Sequence, residues 1–288
     1  MTSTYEVFAL RYATLSWTHS KAYHCYGVYG EEDSSCDLDY YFWLVRNGNR
    51  TVLVDCGFDD ERGGARNRLQ QTSPLELLSR MGTRAEDVDH VVLSHMHYDH
   101  IGNIDLFPNA TFSIARAELE YWTGPYSDRP TIAWPVESEE VRMVQQLAGE
   151  ERLELVENSH ELFPGLVLTK VPGHTPGQLV AEVNTDGGRL VLASDAVHFY
   201  DEMNLDRPFS TFHDLAAMYR SYEMFRDLDA RPDTLVVPGH DPDVTRKFEV
   251  AADQCIDLTK PVDLDERTRS ERELADAAHR LAQRPRHC

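Results

Sequence analysis

The chain of 288 residues contains no apolar run that approaches the roughly 20 residues needed for a membrane-spanning helix. Its N-terminus lacks the basic segment followed by an apolar core that is typical of a secretory signal. Basic residues are also scarce, with 28 lysines and arginines against 49 aspartates and glutamates and a formal net charge of −21. Because phosphate contacts require lysine and arginine, this balance disfavours nucleic acid as a partner. We expect neither nucleic-acid nor membrane binding.

Cysteine is sparse and scattered. The five cysteines never occur in a CxxC arrangement. They are Cys25, Cys36, Cys56, Cys255 and Cys288. An odd number with this spacing argues against both a disulfide framework and a structural zinc knot. Because reduced thiols are typical of the cytoplasm, we expect a cytoplasmic protein.

The remaining composition is ordinary for a globular protein, with 41% hydrophobic residues and a mean hydropathy of −0.48. The length suffices for one large α/β domain or two small ones. We expect a single domain over residues 1–288, with its core at about 40–245. An N-terminal loop at 13–39 and a C-terminal helical tail at 263–288 are expected as additions to that core.

One short stretch concentrates potential metal ligands. His95, His97, Asp99 and His100 lie within six residues, directly after the strand-like run 87–93. On a tight turn, His95 and His97 can share one cation, while Asp99 and His100 point elsewhere and can hold a second. Packing four such side chains without metal would bury polar atoms without partners. The stretch therefore predicts a metal site at the end of a strand.

An apolar strand followed by a loop with a histidine or aspartate recurs along the chain. Besides the first cluster, this order occurs at His174, Asp195 and His240. Strand ends of this kind lie at the edge of the sheet where α/β folds keep their chemistry. Two strand-rich halves without an internal repeat predict two sheets packed face to face, with helices outside.

Individual elements follow from hydrophobic periodicity and turn residues. Strands are expected at 5–12, 40–45, 51–55, 87–93, 110–114, 166–171, 179–183, 189–193 and, as the last clear strand, 234–237. Helices are expected at 73–82, 115–122, 137–147, 214–226 and 269–282. The Asn-Gly turn between 40–45 and 51–55 predicts a hairpin.

Several motifs together resemble those of the metallo-β-lactamase superfamily. The matching stretches are, in chain order, Asp55-Cys56-Gly57, the HxHxDH-bearing Ser94–Asn103, Gly173–Gly177, Ser194–Asp195 and Gly239–His240. Independent motifs that agree in order and in strand-end context make the resemblance specific. It covers roughly residues 40–245 and implies an α/β fold, the αββα sandwich, with a dinuclear metal site at one edge.

Seven residues match the family's metal ligands. Carried over, the resemblance implies His95, His97 and His174 at a first metal, Asp99, His100 and His240 at a second, and Asp195 as a bridge. Mixed imidazole and carboxylate ligands suit two zinc ions, with iron, manganese or cobalt as alternatives.

Within the superfamily, the chain is most similar to the N-acyl homoserine lactonase branch, at 5–12, 93–108, 193–200 and 237–242. The resemblance implies a hydrolase that opens these lactones, a quorum-quenching activity, by attack of a hydroxide that bridges two metals. Another lactone or ester is the nearest alternative substrate. Glyoxalase-II-like thioester hydrolysis is disfavoured because no basic cluster suits a glutathione carboxylate. The expected partner is a small-molecule lactone, and the sequence leaves open whether the chain forms a homodimer.

The residues that assist catalysis are less clearly marked. Some lactonases of the branch carry a tyrosine three residues after the bridging aspartate, whereas this chain has His198 there and Tyr200 nearby. Together with Asp99, these two are our candidate catalytic residues. Asp55 and Asp241 are expected to orient ligands rather than to bind metal.

Two aromatic-rich segments, 17–29 and 122–134, are not needed for the sandwich itself. A substrate with a polar head and an apolar tail needs apolar walls that lead away from the metals. We therefore expect at least one segment to contact the acyl chain, with Trp17 and Trp122 as the test residues. The alternative is a packing or dimer role on a distant face.

Overall fold

The computed structural model describes residues 3–262. Its strands are β1 (Glu6–Leu15), β2 (Leu38–Arg46), β3 (Thr51–Val54), β4 (Leu69–Gln70), β5 (His90–Val92), β6 (Thr111–Ala115), β7 (Leu153–Val156), β8 (Ser159–Phe163), β9 (Leu166–Lys170), β10 (Leu179–Thr185), β11 (Gly188–Ser194), β12 (Thr234–Pro238), β13 (Phe248–Ala252) and β14 (Cys255–Pro261). Its α-helices are α1 (His19–Ala22), α2 (Asp60–Ala65), α3 (Pro74–Arg80), α4 (Tyr98–Ile101), α5 (Arg116–Trp122), α6 (Pro130–Ala133), α7 (Ser138–Gly149), α8 (Tyr200–Leu205), α9 (Leu215–Asp229) and α10 (Val244–Lys247). Short 3₁₀ helices cover Tyr26–Tyr29, Ala85–Asp87 and Ile104–Leu106.

The strands form two mixed sheets. The first runs in the order β13-β14-β1-β2-β3-β5-β6-β7, and β4 pairs with β1 beside this path. Its pairs β3–β5, β5–β6 and β6–β7 are parallel. The second sheet has the order β12-β11-β10-β9-β8, with β11 and β12 parallel. This confirms the expectation of two mixed sheets.

Strand β2 shows how both faces of a sheet are buried. Its side chains alternate, so Tyr41 and Trp43 pack among residues of the second sheet, such as Leu168, in one hydrophobic cluster. Tyr40 and Phe42 point the other way and belong to a different cluster. A strand covered on both faces is apolar throughout, which is why its sequence is a continuous hydrophobic run.

Helices cover the two outer faces, which completes the αββα sandwich. Leu77 of α3 and Val144 of α7 pack on the first sheet, and Met203 of α8 and Tyr222 of α9 pack on the second. Helix α3 begins after Ser73, whose side chain accepts a hydrogen bond from the backbone N–H of Glu76. Such capping residues mark helix starts in the sequence.

The structure departs from the sequence-based expectations in the C-terminal part of the described chain. Strand β12 is not the last, because β13 and β14 follow and β14 pairs with β1 in a register that joins Phe8 to Asp257. The first sheet therefore runs past residue 245. Strands β7 and β8 and helix α8 were also not expected. The expected tail at 263–288, with its helix at 269–282, lies outside the described residues.

The N-terminal segment between β1 and β2 is more ordered than the expected loop. It contains α1 and a 3₁₀ helix, and isolated bridges join Thr18 to Ser35 and Tyr23 to Phe209. Within residues 3–262, no helix combines the length and apolarity required to cross a membrane.

Candidate metal centre

Four loops bring the seven expected ligands together. They follow β5, β9, β11 and β12, whose ends lie at one edge of the sandwich. The side chains form two buried groups. One consists of His95, His97, His174 and Asp195, and the other of Asp99, His100 and His240. Within each group, the donor atoms lie within 4.8 Å of one another.

Asp195 lies between the two groups. Its Oδ2 is 3.3 Å from His174 Nε2 and 3.7 Å from His95 Nε2. Its Oδ1 is 3.2 Å from His100 Nε2 and 3.0 Å from His240 Nε2. One carboxylate oxygen thus faces each group, which is the geometry that a bridging ligand requires.

The buried donor atoms fit metal ions. The Nε2 atom of His95 is buried and has no hydrogen-bond partner among residues 3–262. A buried nitrogen without a partner is costly, and coordination to a cation removes that cost. Imidazoles with carboxylates form a donor set that suits zinc. The residues present therefore fit a dinuclear centre.

Hydrogen bonds on the far side of the rings fix which nitrogen is free to bind. His174 Nδ1 lies 2.9 Å from the carbonyl oxygen of Thr211, and His240 Nδ1 lies 2.9 Å from that of Asp39. A carbonyl oxygen can only accept, so each Nδ1 carries the proton and each Nε2 presents its lone pair to the centre.

Burial favours the neutral, metal-binding form of three of the histidines. Burial lowers the pKa of His95 and His174 well below the usual value and lowers that of His97 to about 3. Burial also disfavours protonated His100, but the carboxylates of Asp195 and Asp55 outweigh it and raise its pKa. A metal at this position would take the place of that proton.

Asp55 orients ligands from a buried position at the end of β3. Its Oδ2 accepts a hydrogen bond from His100 Nδ1 at 2.8 Å, and its Oδ1 accepts one from the backbone N–H of Ser94 at 2.8 Å. The hydroxyl of Ser194 also reaches Oδ2, at 3.2 Å. Asp55 therefore links both sheets behind the ligands, in agreement with the orienting role expected from the sequence.

Glu118 is a buried residue that the sequence did not single out. Its Oε1 accepts hydrogen bonds from the backbone N–H of Met96 at 3.0 Å and from Trp122 Nε1 at 2.6 Å. Its Oε2 accepts one from the backbone N–H of Gly177 at 2.9 Å. One carboxylate thus connects the loop of His97 to the loop that follows β9. The available signal was a glutamate on the apolar side of the helix expected at 115–122.

His198 lies directly beside the centre. Its Nε2 is 3.1 Å from Asp195 Oδ2, and its Nδ1 is 3.1 Å from Glu202 Oε1. Its ring stacks on Phe209, with ring centroids 3.8 Å apart. Burial acts to lower its pKa, but Asp195 and Glu202 outweigh that effect and raise it to about 9.

Tyr200 and Asp241 lie behind the site rather than in it. The Tyr200 ring packs in the hydrophobic cluster under α9, and the Lys247 ammonium lies 3.8 Å from its centroid. Asp241 Oδ2 accepts a hydrogen bond from the backbone N–H of Tyr200 at 2.9 Å. Neither contact reaches a ligand side chain. The structure therefore places only His198 of the expected pair at the cavity.

The centre lies at the floor of an open cavity. The walls are mostly aromatic and apolar. They include Trp17, Leu38, Tyr40, Tyr98, Trp134, Pro135 and Phe209. Trp17 and Trp134 come from the two aromatic-rich segments, so both segments contribute to the walls. Trp122 does not line the cavity, because it is buried with its ring edge-on to His97 and its Nε1 bonded to Glu118.

Two buried ligand groups joined by one carboxylate, at the loop edge of an αββα sandwich, define the class of dinuclear metal-site proteins with this fold. The family model of the metallo-β-lactamase superfamily matches residues 38–240. The chain therefore belongs to that superfamily.

Similar proteins carry lactonase names. An N-acyl homoserine lactonase from Bacillus sp. is 23% identical over 229 residues, covering 74% of this chain and 86% of its own length. N-acyl homoserine lactonase AttM from Azorhizobium caulinodans is 33% identical over 185 residues, covering 59% of this chain and 65% of its own length. The solved structure of AidC, a dizinc quorum-quenching lactonase in complex with a homoserine product, superposes with a TM-score of 0.64 at 20% identity, covering 84% of this chain and 89% of that one.

Proposed function

We propose that this chain is a dinuclear metal hydrolase that opens the ring of N-acyl homoserine lactones. The observation that carries the proposal is the placement of Asp195, whose two oxygens face two separate ligand groups. This arrangement lies at the floor of a cavity with apolar walls. The lactonase names of the relatives AttM and AidC support the choice of substrate class.

The seven clustered residues would hold two divalent cations, which we propose to be zinc from the donor set and from the dizinc relative. Bound there, such ions lower the pKa of a water molecule towards neutrality and polarise an ester carbonyl. In the overall reaction, water adds to the lactone carbonyl carbon and the bond to the ring oxygen breaks. The product acid ionises and releases one proton at neutral pH.

The protein residues around the centre would orient the substrate and move protons. Asp195 and Asp99 line the cavity floor, where Asp195 faces both ligand groups and Asp99 belongs to the group of His100 and His240. His198 also lines the cavity, and its Nε2 would donate a proton to the ring oxygen as it leaves. Stacking on Phe209 holds the imidazole plane in place for this transfer.

The apolar walls suit the tail of the substrate. A fatty acyl chain gains about 0.8 kcal/mol for each methylene that leaves water. Trp17 and Trp134 lie along the walls and would supply the contact surface for those methylenes. A charged or strongly polar tail would gain nothing from such surroundings.

We also propose a cytoplasmic location. Four of the five cysteines lie in the described part of the chain, and all four are free thiols. Three of them are buried. Unpaired buried thiols are typical of a reducing compartment.

A substrate panel on zinc-loaded protein tests the function. We expect each acyl homoserine lactone to gain one water, detected by mass spectrometry, with one proton released per turnover in a weakly buffered assay. The panel includes an unrelated lactone, a glutathione thioester and a β-lactam. Cleavage of the thioester with all lactones intact would replace this proposal with glyoxalase-II-like activity.

A further inference from the structure

Arg68 is the cationic side chain of a cavity whose other lining residues are mostly aromatic, apolar or part of the metal centre. Its guanidinium lies on the cavity wall, after α2 and directly before β4. The side chain is only half-buried, so it can meet a ligand that enters from solvent.

Arg68 has no carboxylate partner among residues 3–262, unlike the arginines that precede it. Arg62 pairs with Glu139 and Arg66 pairs with Glu137. In a chain with a formal charge of −21, acidic partners are abundant. Without an ion pair, the charge of Arg68 stays available to a ligand in the cavity that this residue lines.

Neighbouring tyrosines hold the guanidinium in place without using all its donors. Its Nε donates to Tyr40 Oη at 2.9 Å, and its Nη1 donates to the backbone oxygen of Arg66 at 2.7 Å. The Tyr98 hydroxyl is a further neighbour, and the Trp17 ring centroid lies 5.8 Å from Cζ. A guanidinium has five N–H donors, so three remain after these two hydrogen bonds.

One tyrosine, Tyr40, contacts both Arg68 and a residue of the proposed metal centre. The Tyr40 ring stands edge-on to metal ligand candidate His240, with centroids 5.0 Å apart, and its hydroxyl bonds to Arg68. In an acyl homoserine lactone, five bonds separate the lactone carbonyl carbon from the third carbon of the acyl chain. These bonds span about 6 Å when extended, since each is about 1.3–1.5 Å long. With the lactone carbonyl at the centre, an oxygen on the third carbon would therefore lie away from the ligands, among the wall residues, of which Arg68 is one.

We propose that Arg68 is a specificity-determining residue that donates hydrogen bonds to an oxygen on the third carbon of the acyl chain. The preferred substrates are then 3-oxo-acyl homoserine lactones rather than chains without that oxygen. The inference rests on the proposed lactonase function. A charged donor with aromatic neighbours favours an oxygen acceptor, because low local dielectric strengthens the hydrogen bond.

The test compares two substrates of equal length, N-octanoyl and N-(3-oxooctanoyl) homoserine lactone, on zinc-loaded protein. We expect kcat/KM to favour the oxo substrate by roughly tenfold, the scale of one hydrogen bond to a charged group. In Arg68→Met this ratio should fall to about one, and in Arg68→Lys it should take an intermediate value. Because both substrates are measured on the same preparation, loss of folded protein cancels in the ratio.

Binding gives a second measurement that does not depend on turnover. The two ring-opened products are titrated against tryptophan fluorescence, since Trp17 lies beside Arg68. Wild-type protein should bind the oxo product more tightly, and Arg68→Met should bind both equally. The control is Arg50→Met, which removes an arginine from the β2–β3 hairpin that is paired with Asp89 and should leave both ratios unchanged.

The outcomes separate the two proposals. A wild-type protein without preference for the oxo chain, or an Arg68→Met variant that keeps the preference, overturns the role of Arg68. An equal loss on both substrates also overturns it, because the contact would then be with the amide that both share. If no lactone is opened at all, the lactonase proposal itself fails.

Discussion

Asp195 contributes more to the proposed centre than any histidine does, because each histidine ring belongs to one ligand group whereas the Asp195 carboxylate faces both. The His100 and His240 nitrogens lie on its Oδ1 side, and the His95 and His174 nitrogens lie on its Oδ2 side. A ligand shared in this way would couple two bound metals, because a change that releases one would also expose the other.

Replacing Asp195 by asparagine is therefore expected to remove metal and activity together. The amide keeps the shape but offers one oxygen and one N–H₂ donor, so one group loses its anionic ligand. We expect fewer than two zinc ions per chain by elemental analysis, with an activity loss beyond the roughly 10–100-fold of an outer-shell change. Asp186→Asn, in an exposed turn, is the control. Two retained zinc ions would contradict the bridging role.

Glu118 permits a sharper test of positioning. Glu118→Gln places an amide N–H₂ against one of its backbone N–H partners and so loosens a ligand loop. Zinc affinity should fall roughly 10–100-fold, while kcat at saturating zinc changes little. The measurement is activity across a zinc-buffered series. Glu120→Gln, exposed on the same helix, should behave as wild type, and an unchanged zinc dependence in Glu118→Gln would count against the positioning role.

At the scale of elements, the two tryptophans that bound the segment 122–134 have different roles. Trp134 lines the cavity and is 56% exposed, whereas Trp122 is buried against His97. Trp122 thus stabilises a ligand loop, and its removal would affect every substrate. Trp134 is accordingly the better probe of tail binding.

Trp134→Ala should raise KM about tenfold for a twelve-carbon acyl chain and much less for a four-carbon chain. The reason is that only the long tail reaches the lost indole and forfeits its burial. Steady-state kinetics on both lactones, with zinc content checked, measures this. Tyr126→Ala removes an exposed aromatic of the same segment that does not line the cavity, and should change neither KM. Equal effects on both chain lengths would exclude a tail contact.

The elements that position the ligands could be predicted, since buried strands such as β2 are unbroken apolar runs. Two of the strands that were not predicted are half-exposed or polar: β8 is Ser-His-Glu-Leu-Phe, and β13 is largely exposed. Their pairing depends on partners distant in sequence, such as β1 for β14. The seven expected ligands do lie together. The roles of Glu118 and Arg68 could not be predicted, because a single charged residue forms no sequence motif.

At the scale of the whole molecule, one buried histidine away from the cavity links folding to pH. His90 begins β5, and its ring nitrogens lie 2.7 Å from Thr111 Oγ1 and 2.8 Å from Ser113 Oγ. Burial lowers its pKa from 6.5 to about 4. In the unfolded chain His90 therefore binds a proton below about pH 6.5, whereas in the folded chain it binds one only below about pH 4.

This difference predicts a loss of stability on acidification. The contribution of neutral His90 is fully present above pH 6.5 and decreases as the pH falls towards 4. At pH 5 the loss is about 2 kcal/mol, since each pKa unit is worth 1.36 kcal/mol. Urea unfolding at pH 7.5 and pH 5 should show a fall larger by this amount in wild type than in His90→Gln. Equal falls in the two proteins would refute the assignment.

The ligands are divided between the two sheets, and this division has a consequence for the rates of folding and unfolding. His95 to His100 belong to loops of the first sheet, while His174, Asp195 and His240 belong to the second. The hydrogen bond that orients His240 closes a loop of 201 residues. We expect contacts of such long range to form late in folding, because the entropy of closing the loop is lost before the contacts contribute. Interactions absent from the transition state slow unfolding without speeding folding, so bound metal should set how long each molecule stays folded rather than how fast it folds.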